Sequence, residues 1–169
     1  PLIVLGASVT LRRGAERREV KLKDYFIAYG KQDRQPGEFV ESITIPLLPA
    51  GEQFACYKIT KRRDEDISAL CGAFRVFVNE TGQAGMVRIA FGGMAATPKR
   101  ALAVEAALAG MPWTAETIEA ALPAFAQDFA PISDMRASAG YRMLAAQNLL
   151  RRFFLETSGG AERLAREVA

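Results

Sequence analysis

Histidine is absent from all 169 residues, and that one absence removes several chemistries. A Ser-His-Asp or Cys-His nucleophile system cannot be assembled, and the commonest transition-metal ligand is missing. Cysteine is scarce. Cys56 and Cys71 are the only two, too few for a four-cysteine zinc site or, by themselves, for an iron–sulfur cluster. With so few cysteines and no secretory signal, a reducing cytoplasm is the expected compartment. No apolar run approaches the ~18 residues a membrane helix needs, so no membrane partner is expected. Charge of one sign is also lacking, because 22 Lys and Arg are interspersed with 19 Asp and Glu for a net +3. A nucleic-acid partner is therefore not expected.

What the sequence does have is enough apolar content, 50% of its residues, to bury a core. Leu2-Ile3-Val4-Leu5 follows Pro1 with no polar lead-in and reads as the middle of a strand, as in a piece of a longer chain. Ala7 to Leu11 and Arg18 to Leu22 alternate around the turn Arg12-Arg13-Gly14-Ala15, which predicts a β-hairpin. A helical turn is expected over residues 23–29, ending at Gly30, and a strand over 39–47. Pro49-Ala50-Gly51-Glu52 then marks an expected domain boundary.

Beyond it, residues 53–60, 69–79 and 86–91 read as a three-stranded antiparallel meander, with Glu80-Thr81-Gly82-Gln83 as the hairpin turn. The period then changes. Thr97-Pro98 predicts a helix start, Thr114 caps a second helix and Ser138 a third. The third helix is expected to bury Tyr141, Leu144, Ala145, Leu149 and Phe153, and to end at Gly159-Gly160. Residues 158–169 read as a charged helical tail. Strands followed by segregated helices make the fold class α+β.

The polar constellations are few. Lys58 to Asp66 places four basic residues directly before three acidic ones, a loop able to hold a phosphate or a ribose or simply to pair its own charges. Gly92-Gly93 reads as a tight turn after a strand, without the spacing of a phosphate loop. Arg151-Arg152-Phe153-Phe154 predicts phenylalanines in the core and arginines on the rim. Cys56 and Cys71 read as small buried hydrophobes. No self-sufficient catalytic set emerges.

The order of several short blocks is more specific. Gly37 to Pro46, Phe54 to Arg62, Asp66-Ile67-Ser68, Phe91 to Ala95, Thr97 to Ala101 and Asp134 to Arg142 together resemble the C-terminal portion of the FAD-binding subunit of bacterial xanthine dehydrogenases. The resemblance implies that residues 1–48 are the β-rich end of a truncated FAD-binding domain. It implies that residues 53–157 form the C-terminal domain shared with carbon monoxide dehydrogenase flavoproteins, a three-stranded antiparallel sheet packed with a three-helix bundle. It places Lys58 and Val40 against FAD, and Arg63, Glu65 and Asp66 near the flavin and the NAD that it reduces. The complete enzyme would also carry iron–sulfur clusters and molybdopterin outside this chain, on other chain regions or on a second subunit, with a molybdenum-binding subunit as partner in an oligomer of heterodimers serving purine catabolism. The phosphate-cradling glycines of such a subunit would lie upstream of Pro1, so this portion alone is expected to hold FAD poorly. The alternatives are a subunit-docking module without catalysis, and the flavoprotein of a sister carbon monoxide or aldehyde dehydrogenase.

Overall fold

The computed structural model describes residues 1–62 and 65–159. The chain opens on a helical turn, α1 (Leu2–Leu5), rather than on the strand its apolar run suggested. Gly6 decides this. It takes φ 79° and its amide closes the turn onto Ile3, which seats Ile3 and Val4 as buried side chains. The predicted hairpin follows as β1 (Ser8–Arg13) and β2 (Glu16–Lys21), with Gly14 at φ 60° in the turn. Next come a second helical turn, α2 (Leu22–Tyr25), and a small ribbon of β3 (Phe26–Ala28) and β4 (Lys31–Gln32). The helical turn is thus shorter than expected, and Gly30 turns the ribbon at φ 69° instead of capping a helix. β5 (Phe39–Thr44) pairs with β1, giving the sheet order β2-β1-β5.

The second sheet is built from β6 (Glu52–Ile59), β7 (Leu70–Val78) and β8 (Ala84–Gly92), all antiparallel. Against the expected three strands, it gains a fourth. β9 (Lys99–Arg100) pairs with β8 where the Thr97-Pro98 helix start was predicted. The helix begins later, as α3 (Leu102–Leu108), and Asp128 caps it from 25 residues downstream through the amides of Ala103 and Val104 at 3.0 and 3.1 Å. Thr114 does cap α4 (Ala115–Ala121), and Pro123 sits in a 3₁₀ turn leading to α5 (Phe125–Asp128). Ser138 caps α6 (Ala139–Thr157) by accepting from the Tyr141 amide.

The helices cover one face of the second sheet. Phe74, at the centre of β7, stacks on Phe153 of α6 with ring centroids 5.3 Å apart and meets Phe91 edge-on at 5.6 Å. The expected apolar stripe of α6 is corrected at its start. Tyr141 and Leu144 are about half exposed, and the buried positions are Arg142, Ala146, Leu149, Leu150 and Phe153. The Arg-Arg-Phe-Phe run behaves as predicted: Phe153 is buried, while Arg151 pairs with Glu119 and Arg152 with Glu156. The tail expected over 158–169 lies, from residue 160 onward, outside the described residues.

The opposite face of the second sheet receives the N-terminal half. Ala73 and Ala90 share a buried cluster with Ile3, Val4, Val9 and Leu11, and Phe54 and Cys56 pack against it. Arg75 crosses this seam. Its guanidinium pairs with Glu52 and reaches the carbonyl oxygens of Val4 and Leu5 at 3.5 and 3.3 Å. Among the described residues, no helix is long and apolar enough to cross a membrane.

Candidate functional site

Register places the site. Directly opposed residues of neighbouring antiparallel strands share a face of the sheet. Lys58 opposes Cys71, and Cys71 opposes Gly92, so these three form one row across β6, β7 and β8. The neighbouring row, Cys56, Ala73 and Ala90, is where the N-terminal half packs. The Lys58 row therefore lies at the margin of that seam. Lys58 is exposed, and no carboxylate among the described residues pairs with its ammonium group. A Cβ added at Gly92 would meet no atom within 4 Å, so space is open beside the row.

The charged loop begins two residues beyond Lys58, and its own side chains fold it. The Asp66 carboxylate accepts the backbone amides of Lys61 and Arg62 at 3.1 and 3.0 Å, and the Arg62 guanidinium lies 3.6 Å away. The Arg62 amide, ahead of the Arg62 charge, holds the Asp66 carboxyl below its usual range. Thr60 donates its hydroxyl to the Arg62 carbonyl at 2.6 Å, and Glu65 turns the chain at φ 49°. Lys61 leaves the loop and donates to the Met135 carbonyl at 2.7 Å. Between the loop and the segment before α6 lie two adjoining cavities of about 370 and 220 Å³, which share Lys61, Ala69 and Arg136. Glu65 and Asp66 line the larger.

Arg142 is the residue that composition and spacing did not single out. Its guanidinium is 4% exposed and donates to the carbonyls of Ala69 and Gly93 and to the Asp134 carboxylate. It thus ties the end of the charged loop, the turn after β8 and the segment before α6 to one buried cation. Gly93 permits this approach. It takes φ 83°, and a Cβ there would sit 2.5 Å from the Ala69 carbonyl oxygen. Of the paired glycines, Gly93 makes the tight packed turn the sequence suggested, while Gly92 ends β8 with open space beside it.

The remaining predicted positions are separate. Val40 lies on β5, the edge strand of the first sheet, opposite Leu11 and 39% exposed. Arg63 falls outside the described residues. Cys56 and Cys71 are not the buried hydrophobes expected: both are half-buried, and their sulfurs lie 3.7 Å apart. Among the described residues, no group of His, Cys, Asp and Glu could hold a metal ion.

Residues 55–157 match the CO dehydrogenase flavoprotein C-terminal domain, and residues 1–48 match the FAD binding domain in molybdopterin dehydrogenase. The chain belongs to the flavoprotein family of the molybdenum hydroxylases. Nicotinate hydroxylase hnxS of Emericella nidulans is 32% identical over 90% of this chain and 12% of its own length. The xanthine dehydrogenase/oxidase of Gallus gallus is 32% identical over 70% of this chain and 9% of its own length. The chain therefore spans a small part of these curated relatives. Among solved structures, the reconstituted CO dehydrogenase from Oligotropha carboxidovorans superimposes with a TM-score of 0.85 at 26% identity, covering 95% of this chain and 55% of that one.

The family implies FAD, and the row at Lys58 suits the ring end of a flavin. It offers a charged hydrogen-bond donor on a fixed strand and open space beside a glycine. The sequence contains no GxGxxG or GxxxxGK[ST] spacing to cradle a pyrophosphate. The fit is therefore to the ring and not to the whole cofactor.

Proposed function

We propose that this chain is part of the FAD subunit of a xanthine dehydrogenase, and that Lys58 and Val40 contact the flavin. On this reading residues 1–48 end the FAD-binding domain, residues 53–157 form the C-terminal domain, and a molybdenum-binding subunit is the partner. The single observation that carries it is the position of Lys58: a charged donor without a carboxylate partner among the described residues, in register with Gly92 beside open space. Bound FAD would supply electron transfer from iron–sulfur clusters to NAD. Lys58 would donate a hydrogen bond to the ring and favour its electron-rich state through its charge. Val40 would cover an apolar part of the cofactor and exclude water.

The loop would set access. Asp66 folds it by binding the backbone amides of Lys61 and Arg62, which fixes where Glu65 leaves the chain, and Arg63, from the same loop, would act near the flavin and NAD. Glu65 and Asp66 beside the larger cavity would accept hydroxyl groups of an incoming nucleotide such as NAD. The Gallus gallus relative supports xanthine as the substrate of the complete enzyme, while the Emericella and Oligotropha proteins support nicotinate and carbon monoxide for sister enzymes. That choice is made at the molybdenum site.

The test is Lys58→Ala in the whole flavoprotein, with FAD content per chain and the rate of flavin reduction by NADH as readouts. Loss of a charge-assisted hydrogen bond, ~1.5–3 kcal/mol, corresponds to a fall of about 10- to 150-fold in FAD affinity. FAD content and reduction rate both unchanged would contradict the proposal and favour a docking module.

A further inference from the structure

The two cysteines that the proposed flavin site does not use are close enough to react with each other. Cys56 on β6 and Cys71 on β7 are diagonal neighbours on one face of the sheet, since Cys56 opposes Ala73 and Cys71 opposes Lys58. Their sulfurs are 3.7 Å apart and both residues are partly exposed. A disulfide needs about 2.05 Å, so the sulfurs must close by roughly 1.7 Å, a distance that side-chain rotation on paired strands can supply. No third cysteine exists in this chain to compete.

We propose that Cys56 and Cys71 form an oxidisable dithiol, a modification site for a two-electron oxidant of the peroxide class. The geometry assigns the two roles. Either sulfur can donate in this contact; with Cys56 as donor the bond favours the Cys71 thiolate, and the Lys58 ammonium, directly opposite Cys71, selects that arrangement. The same contact, ahead of burial, pushes the Cys56 thiol up, so it keeps its proton. The Cys71 thiolate attacks one oxygen of hydrogen peroxide, the O–O bond breaks, and the hydroxide released takes up a proton to become water. Cys71 is then a sulfenic acid. The Cys56 sulfur attacks the Cys71 sulfur, the S–O bond breaks, and the departing hydroxide leaves as water with the Cys56 proton. Two thiols are oxidised by two electrons and one peroxide is reduced to two waters. The product ties the strand carrying Lys58 covalently to its central neighbour. This chemistry stands whether or not Lys58 touches a flavin.

The test treats the whole flavoprotein with hydrogen peroxide, alkylates the remaining thiols after denaturation, and maps unreduced peptides by mass spectrometry. The expected product is one peptide pair linked through positions 56 and 71, about 2 Da lighter than its reduced form and restored by dithiothreitol. In Cys56→Ser, Cys71 should stop at the sulfenic acid and be captured by dimedone; in Cys71→Ser, Cys56 should stay alkylatable. The proposal is overturned if both wild-type thiols remain alkylatable. Separate over-oxidation without a cross-link, or pairing with cysteines elsewhere in the flavoprotein, would overturn it equally.

Discussion

Asp134, Glu38 and Glu41 each sit among several donors that favour their ionised forms. The Asp134 carboxyl is pulled down to about 2, first by the Arg136 amide, with the Arg142 guanidinium adding to it. Arg18 takes Glu38 from 4.5 to about 2, and Arg17 with Arg12 does the same for Glu41. All three folded-state values lie below the ordinary carboxylate range, so the unfolded chain binds protons first as the pH falls. The stability they contribute is fully present above about pH 4.5 and disappears as the pH drops towards about 2. Urea unfolding midpoints of the flavoprotein measured across this window should therefore fall with pH. The fall should be shallower in Glu38→Gln and Asp134→Asn, and a slope in both variants equal to that of the unsubstituted protein would contradict the assignment.

The start of α3 shows how an element depends on a distant residue. Thr97-Pro98 has the local chemistry of a helix start, yet pairing of Lys99 and Arg100 with β8 keeps the backbone extended there. The Asp128 carboxylate instead supplies the cap, and it is buried. Asp128→Ala should cost ~1–2 kcal/mol of stability, the usual cost of a lost N-cap, read as a lower denaturation midpoint. An unchanged midpoint would show that the α3 amides find other partners. Local signals were legible where their partners are local: the hairpin turn at Gly14 and the caps Thr114 and Ser138. The Asp128 cap and the buried Arg142 were not. Each acts on segments 24 or more residues away, and an arginine in an apolar stripe reads as a rim residue until its carbonyl partners are seen.

At the scale of the whole molecule, two sheets meet through a small apolar seam clasped by Arg75. The charged loop was legible as a polar run, and Lys58 as its first cation. Its place at the margin of the seam was not legible, because that depends on which row of the second sheet the N-terminal half covers. On β5, Val40 and Ile43 oppose Leu11 and Val9, so they share one face of the first sheet and are partly exposed there. A margin row whose lysine has no carboxylate partner among the described residues suits the polar edge of a flat ligand. The central claim is that this surface faces FAD. Hydrogen–deuterium exchange of the whole flavoprotein, with and without FAD, tests it most directly. The account predicts slower exchange in Phe39–Thr44 and Glu52–Ile59 when FAD is bound; protection confined to segments outside this chain would contradict it.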